Sequence, residues 1–222
     1  MSSQLDRKFT EPEELSWLVS LFYSWIPARM LQPTYQQIVG TLPLKNKGFL
    51  IDIGTGPGDL AQLIAKKYPN LKVIGIDLSE TMIRIANKQT KNSLNLEFKV
   101  MDGKNLEFKE NSIDYIISTL AFHHWKKPLK VLNEIHRVLK RGGQVFIYDI
   151  YSEMSDRDIE RGLKYHAGLK IIKTFFKKTI SLHGFLKKEY ENYVRNLMSK
   201  SNFKKSSFER VGITMKIELR KD

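Results

Sequence analysis

Residues 48–59 read GFLIDIGTGPGD, and this stretch decides the fold. Gly48–Ile53 is a nearly continuous apolar run, the mark of a strand buried on both faces. It runs straight into Gly54-Thr55-Gly56-Pro57-Gly58-Asp59, after which Leu60, Ala61, Leu63 and Ile64 return at helical spacing. A strand that delivers a glycine-rich loop to a helix N-terminus makes a ligand site. The glycines let backbone approach closely, and the helix end offers unpaired N–H groups. Open α/β sheets bind nucleotides at such points. A dinucleotide would need G-x-G-x-x-G, whereas the glycines here are Gly54, Gly56 and Gly58, with Asp59 where the third dinucleotide glycine would stand. A Gly-Lys-Ser/Thr phosphate loop is absent from the sequence. Asp52 precedes the loop inside an otherwise apolar strand. A buried carboxylate must be paired or hydrogen-bonded, and a loop amide or a ligand ammonium would serve.

Outward from the loop, strand and helix alternate. Leu71–Ile76 reads as a second strand ending at Asp77, followed by a helix over Ser79–Lys88 with Ser79 as its N-cap. Leu94–Val100 is a third strand, ending at Met101-Asp102-Gly103, and Ile113–Thr119 is a fourth. Pro128 opens a helix that buries Val131, Leu132, Ile135, Val138 and Leu139, with Gly142-Gly143 closing it before a fifth strand, Gln144–Ile150. Short connections throughout predict a parallel sheet with helices on both faces, joined by right-handed crossovers. Upstream, residues 10–26 read as an amphipathic helix with a Thr10/Glu13 capping box, and a shorter helix follows Pro33 and ends at Pro43. Downstream, residues 156–182 and 186–200 look helical, and Ser206–Arg210 and Ile213–Arg220 are two strands around Gly212. The expectation is an α/β, doubly wound, seven-stranded sheet, mostly parallel with an antiparallel last strand. It is organised as one domain over 1–222: a helical cap (1–43), a binding core (48–150), a helical lid (151–185) and a final helix with strands (186–222).

Composition narrows the function classes. The chain has 222 residues, 41% hydrophobic and 27% charged, which is globular and argues against disorder. With no cysteine, disulfides, zinc–thiolate sites, iron–sulfur clusters and cysteine nucleophiles are excluded. No apolar run approaches the roughly 18 residues of a membrane span, and Met1–Thr10 is polar, so a soluble cytoplasmic protein is the expectation. The formal net charge is +13, of which residues 151–222 carry 17 basic and 9 acidic side chains. Such a region can attract nucleic acid, anionic lipid or a negatively charged small molecule. A lysine-rich solvated surface is the slightly favoured reading, because the lysines show no interleaving with aromatics.

The sequence resembles the class I S-adenosylmethionine (SAM)-dependent methyltransferases, on motifs that fall in register over about residues 48–150. Asp52-Ile53-Gly54-Thr55-Gly56-Pro57-Gly58 is similar to their first motif, and Gly75-Ile76-Asp77-Leu78-Ser79 with Met82 to their second. Met101-Asp102-Gly103 resembles the acidic adenine-contacting motif, and Ser118–Trp125 (STLAFHHW) the loop after strand four in small-molecule members. Val131–Gly143 resembles the helix and turn before strand five, except that Arg141 stands where the family usually has proline. The resemblance implies a Rossmann-like fold, SAM as cofactor and S-adenosylhomocysteine (SAH) as product. The quinone- and phenol-methylating branch has a similar loop. It further implies that Asp52, Gly54, Thr55, Gly56 and Gly58 receive the methionine part of SAM, and that Asp77 accepts both ribose hydroxyls. A carboxylate suits such paired donors. Asp102 would accept from the adenine amino group, with Gly103 leaving room for the ring and Leu78, Met82 and Ser118 completing the cofactor site.

Direct methyl transfer needs alignment of nucleophile, methyl and sulfur, and a base only where the nucleophile starts protonated. His123 and His124 are the base candidates, since they follow strand four on the rim where cofactor and acceptor should meet. Tyr148 and Asp149 end strand five at the same rim, and Tyr23, Arg29 and Tyr148 are candidate acceptor contacts. No metal site is expected. No Asn/Asp-Pro-Pro-Tyr/Phe motif follows strand four, and the missing cysteine closes the covalent route to 5-methylcytosine. Two routes to a nucleic-acid substrate are thereby closed, with ribose and other base positions still open, and the resemblance to the quinone- and phenol-methylating branch implies a small-molecule acceptor as partner. An RNA-directed enzyme using the basic C-terminal third, or a SAM-binding protein without transfer activity, are the alternatives. The acceptor, the acceptor atom and the oligomeric state are not legible.

Overall fold

The computed structural model describes residues 31–90, 93–150, 187–211 and 214–222. The expected helix over 10–26, the lid over 151–185, Tyr23, Arg29 and Gly212 lie outside the described residues. Residues 31–41 are helical (α1). Then come β1 (Gly48–Ile53), α2 (Asp59–Lys67), β2 (Leu71–Asp77), α3 (Glu80–Gln89), β3 (Leu96–Val100) and β4 (Ile113–Thr119). A single 3₁₀ turn at Phe122–His124 leads to α4 (Pro128–Val138) and β5 (Leu139–Ile150). The chain finishes with α5 (Lys187–Lys200), β6 (Ser206–Val211) and β7 (Thr214–Arg220).

The strands form one seven-stranded sheet in the order β3-β2-β1-β4-β5-β7-β6. β1 through β5 run parallel, and β7 pairs antiparallel with both β5 and β6. The chain steps from β1 to β2 and β3 on one side, then crosses to β4 and β5 on the other. The C-terminal ends of β1 and β4 therefore flank the point where the winding reverses, and adjacent crossovers leave a crevice there.

The residues explain the layers. β1 is apolar on both faces because both are covered. Leu50 joins a core with Ile38, Leu60, Ile64 and Tyr148, whereas Ile51 and Ile53 join another with Ile116, Leu132, Ile135 and Val194. In α2 the buried positions are Leu60, Ala61, Ile64 and Ala65, a stripe along one side. Ser79 caps α3 as its sequence signature requires, its hydroxyl accepting from the Met82 amide at 3.3 Å.

Two boundaries differ from the sequence reading. β3 begins at Leu96, not Leu94, and Leu94 is fully exposed. The Gly142-Gly143 pair does not close α4, which ends at Val138. The extended strand resumes at Leu139 and the pair falls inside β5. Ile113 pairs with Leu139 but Tyr115 with Gln144, so four residues bulge out opposite one. Gly142 takes φ +74° in that bulge, and a Cβ on Gly143 would lie 2.8 Å from the Lys140 carbonyl. Arg141 sits in the same bulge.

Lys221 locks the bulge to the end of α4. Its backbone exchanges hydrogen bonds with Gly142 and Gly143, and its buried ammonium donates to Asn111 Oδ1 at 2.8 Å and the His136 carbonyl at 2.7 Å. Burial pushes the Lys221 ammonium below its ordinary pKa, with the Glu110 charge acting in the opposite direction. Lys221→Ala removes hydrogen bonds from a charged donor and should cost about 1.5–3 kcal/mol, read as a lower midpoint in urea unfolding with an unchanged slope.

Candidate functional site

The glycine loop is fixed by the second strand. The Ile76 carbonyl accepts from both Gly54 N–H (2.9 Å) and Thr55 N–H (3.0 Å). Gly54, Gly56 and Gly58 all hold positive φ, at +73°, +54° and +87°. At Gly54 a Cβ would come within 2.4 Å of the Ala121 side chain, so the loop lies directly on the segment leaving β4. At Gly56 a Cβ would meet nothing within 4 Å. That glycine serves a left-handed turn facing open space, a backbone surface a ligand can approach.

The acids around the loop are each held in place. Asp77, at the end of β2, accepts from the Gly56 amide through Oδ2 and from the Ser79 amide through Oδ1, both at 2.9 Å. Burial raises its pKa, and these amides act in the opposite direction. Each carboxylate oxygen still has a lone pair to offer. Asp52 is 2% exposed, and the Thr55 hydroxyl donates to its Oδ2 at 2.8 Å. The partner its burial demands is thus a loop hydroxyl. Burial pushes Asp52 up to about 7, with Thr55 pulling down and the Asp77 charge adding to the rise.

Asp102, beyond β3, accepts from the Lys104 amide at 2.9 Å and pairs with the Lys104 ammonium at 3.1 Å. A Cβ on Gly103 would touch the side chains of Val131 and Ile53, so its missing side chain accommodates core packing. Leu78 is 69% exposed on the rim, and Met82 is half-buried in the first turn of α3. Ser118 is buried, its hydroxyl donating to the Ile53 carbonyl at 2.8 Å, where it ties β4 to the end of β1. The cofactor residues read from the sequence are therefore arrayed along the ends of β1 to β4. Gly103 and Ser118 make core contacts within that array.

The helical face of the crevice is supplied by α1. Gln32 donates to Asp59 Oδ1 at 3.2 Å. The Tyr35 hydroxyl is held above its ordinary pKa by burial, then by the charges of Asp59 and Asp52. Tyr148 is 1% exposed and packs in the core with Ile38, Val39 and Leu42, and burial pushes its hydroxyl up to about 12.

At the far side of β4 the two histidines differ. His124 is exposed, while the His123 side chain is 8% exposed against Asp149, which is itself 1% exposed. The His123 amide donates to Asp149 Oδ2 at 2.9 Å, and Nδ1 lies 2.6 Å from Oδ1. A carboxylate oxygen against Nδ1 favours the imidazole tautomer with its proton there. The two imidazole rings lie 4.0 Å apart. Sequence reasoning put Asp149 on this rim but missed the pairing, because 26 residues separate it from His123. Thr119 and Gln32 were missed altogether, having no local signature. Among the described residues no cluster of His, Asp and Glu could hold a metal, and no helix is long and apolar enough to cross a membrane.

Comparison with known proteins agrees with this geometry. Residues 51–147 match the family model described as a methyltransferase domain. A demethylmenaquinone methyltransferase of Thermotoga maritima is 39% identical over 101 residues, 46% of this chain and 43% of that protein. A malonyl-[acyl-carrier protein] O-methyltransferase of Marinomonas is 27% identical over 126 residues, 57% of this chain and 46% of that protein. The chain thus spans under half the length of these curated relatives. The crystal structure of human N-acetylserotonin methyltransferase in complex with SAM superposes with a TM-score of 0.68 at 18% identity, covering 99% of this chain and 65% of that one. The likeness shows the fold.

Asp52 yields a prediction with a definite sign. Its folded pKa of about 7 is above its unfolded value, so its contribution to stability is full below the unfolded pKa and is lost as pH rises through 7. One proton sets a limiting slope of about 1.4 kcal/mol per pH unit. Asp52→Asn should flatten that fall between the unfolded value and neutrality, measured by urea denaturation across a pH series.

Proposed function

Because residues 51–147 match a methyltransferase-domain family model, we propose that the chain is a class I SAM-dependent methyltransferase that binds SAM in the β1–β4 crevice and transfers its methyl group to a small-molecule acceptor, leaving SAH. The observation that carries this reading is the Asp77–Gly56 contact at 2.9 Å. It joins a strand-end acid and an open glycine turn into one receptor, with a diol acceptor beside exposed loop backbone. The residues present fit the cofactor on further grounds: three left-handed glycines, open space at Gly56, and the acids Asp77 and Asp102 on successive strand ends.

When bound, SAM supplies a methyl group on a positively charged sulfur, activated for direct displacement. The protein's part is to align, exclude water and manage one proton. Asp77 would take the ribose hydroxyls and Asp102 the adenine edge, fixing the nucleoside over β2 and β3. The loop of Gly54, Thr55, Gly56 and Gly58, with Asp52 behind it, would receive the methionine part, while Met82 would pack on the adenine or ribose beside Leu78. Ser118 would act through its hold on the Ile53 carbonyl. The ends of β4 and β5 flank this loop and carry the residues that would meet an acceptor.

His123 stands on that rim. With its Nδ1 proton directed to Asp149, Nε2 would take the proton of an acceptor phenol, hydroxyl or carbon acid as the new bond to the methyl group forms. Asp149 would stabilise the imidazolium that results. His124, Tyr23, Arg29 and Tyr148 remain proposed acceptor-side residues. The curated relatives named above act on demethylmenaquinone and on malonyl-acyl-carrier protein, two acceptors of different size.

Calorimetric titration with SAH tests the reading, and no detectable heat from the folded protein would overturn it. Asp77→Ala should weaken SAH by about 1.5–3 kcal/mol, the worth of hydrogen bonds to a charged group. His123→Ala should leave SAH affinity within about twofold and, once an acceptor is found, lower turnover by at least about a hundredfold. Full turnover in that variant removes it as the base.

A further inference from the structure

Thr119 closes β4 and is 8% exposed. Its hydroxyl oxygen is buried and has no hydrogen-bond partner among the described residues. Buried polar atoms are nearly always satisfied, and each exception calls for a physical reason. Here the backbone holds the group in place. Leu120, the next residue, adopts φ +56°, a left-handed conformation disfavoured for a branched side chain, and donates its N–H to the Tyr148 carbonyl at 2.8 Å. Ala121 then packs on Gly54. The strained exit from β4 fixes Thr119 beside the glycine loop.

The register gives the direction of the side chain. Asp52 pairs with Ile117, two residues before Thr119, and Thr119 pairs with Tyr148. Side chains alternate along a strand, so Thr119 shares a face with Ile117, and both Ile117 and Tyr148 pack in the core under α1 with Leu50 and Tyr35. Thr119 thus looks to the same side as Asp52, one strand over, at the C-terminal edge of the sheet.

The sheet order says what reaches this point. Asp77 and Asp102 follow β2 and β3, on one side of β1, whereas Thr119 ends β4 on the other. A ligand whose ribose and adenine engage those acids must cross the Gly54–Gly58 loop and end at β4. For SAM or SAH the far end is an α-amino acid. We infer that the Thr119 hydroxyl is a hydrogen-bond partner of the amino-acid end of the bound cofactor, acting alongside the Asp52 carboxylate. This rests on the cofactor reading above and adds to it a side chain, in the Ser118–Trp125 stretch, that the sequence reading gave no role. A hydroxyl can accept from the α-ammonium while donating to the carboxylate, which a valine of the same shape cannot do.

The test is titration of wild type, Thr119→Val and Thr119→Ser with SAH and with 5′-deoxy-5′-methylthioadenosine. The second ligand keeps adenine, ribose and sulfur but has no amino-acid end. Thr119→Val should weaken SAH about tenfold, the loss of one hydrogen bond. It should leave methylthioadenosine unchanged, and Thr119→Ser should recover SAH binding to within about threefold. The melting temperature of ligand-free Thr119→Val should equal or exceed that of wild type, since the change removes an unsatisfied buried polar atom. Unchanged SAH affinity in Thr119→Val, equal weakening of both ligands, or a lowered ligand-free melting temperature would overturn the inference. Wild type that binds neither ligand overturns the cofactor reading itself, a result distinct from each of these.

Discussion

The site depends on how the carbonyl of Ile76 holds the chain leaving β1. By accepting from Gly54 and Thr55 together, it turns the strand sharply at the sheet edge. The turn is available only to residues that tolerate positive φ, which is why Gly54, Gly56 and Gly58 recur at alternate positions. Once the turn is made, the Gly56 amide falls on Asp77, Thr55 falls on Asp52, and α2 starts with Asp59 at its N-terminus. An acid in the first turn complements the helix dipole. A single backbone acceptor thus sets the spacing of three carboxylates.

That arrangement concentrates cost. Asp52 is nearly without solvent and has one neutral hydrogen bond, Thr119 has an unmatched hydroxyl, and Leu120 is held left-handed. None of these improves the packing of an empty protein. Elsewhere the buried polar groups are well matched. The Asn95 amide donates to three carbonyls (Ala65, Tyr68 and Leu71), and Lys221 serves the end of α4. The contrast locates the strain at the crevice, where a bound molecule can return the free energy that folding leaves unrecovered.

The sequence made the sheet legible because each parallel strand is buried on both faces and so reads as a short apolar block between helical stripes. The β1–α2 turn was legible for the same local reason, with glycine spacing and the following acid within a few residues. What escaped notice lies between strands. Nothing near Gly142-Gly143 distinguishes a helix stop from a bulge, since both use glycine at positive φ, and Lys221, which fixes the outcome, is about eighty residues away. Asp149 was placed at the rim by counting along β5, but its grip on His123 is a tertiary contact. Thr119 looks in sequence like an ordinary β-branched strand residue, and only its lack of a partner marks it.

The two ends of the crevice answer to different constraints. Around the glycine loop, Asp77 sits on backbone amides, so a side-chain change there disturbs the loop itself. Beyond β4, the His123 amide and Nδ1 both meet the Asp149 carboxylate. Its orientation depends on β5 and on the 3₁₀ turn, which is joined to the glycine loop where Ala121 packs on Gly54. The relatives named for demethylmenaquinone and for malonyl-[acyl-carrier protein] share sequence likeness with this chain while bearing different acceptors in their names, and a fold by itself does not set what a chain acts on.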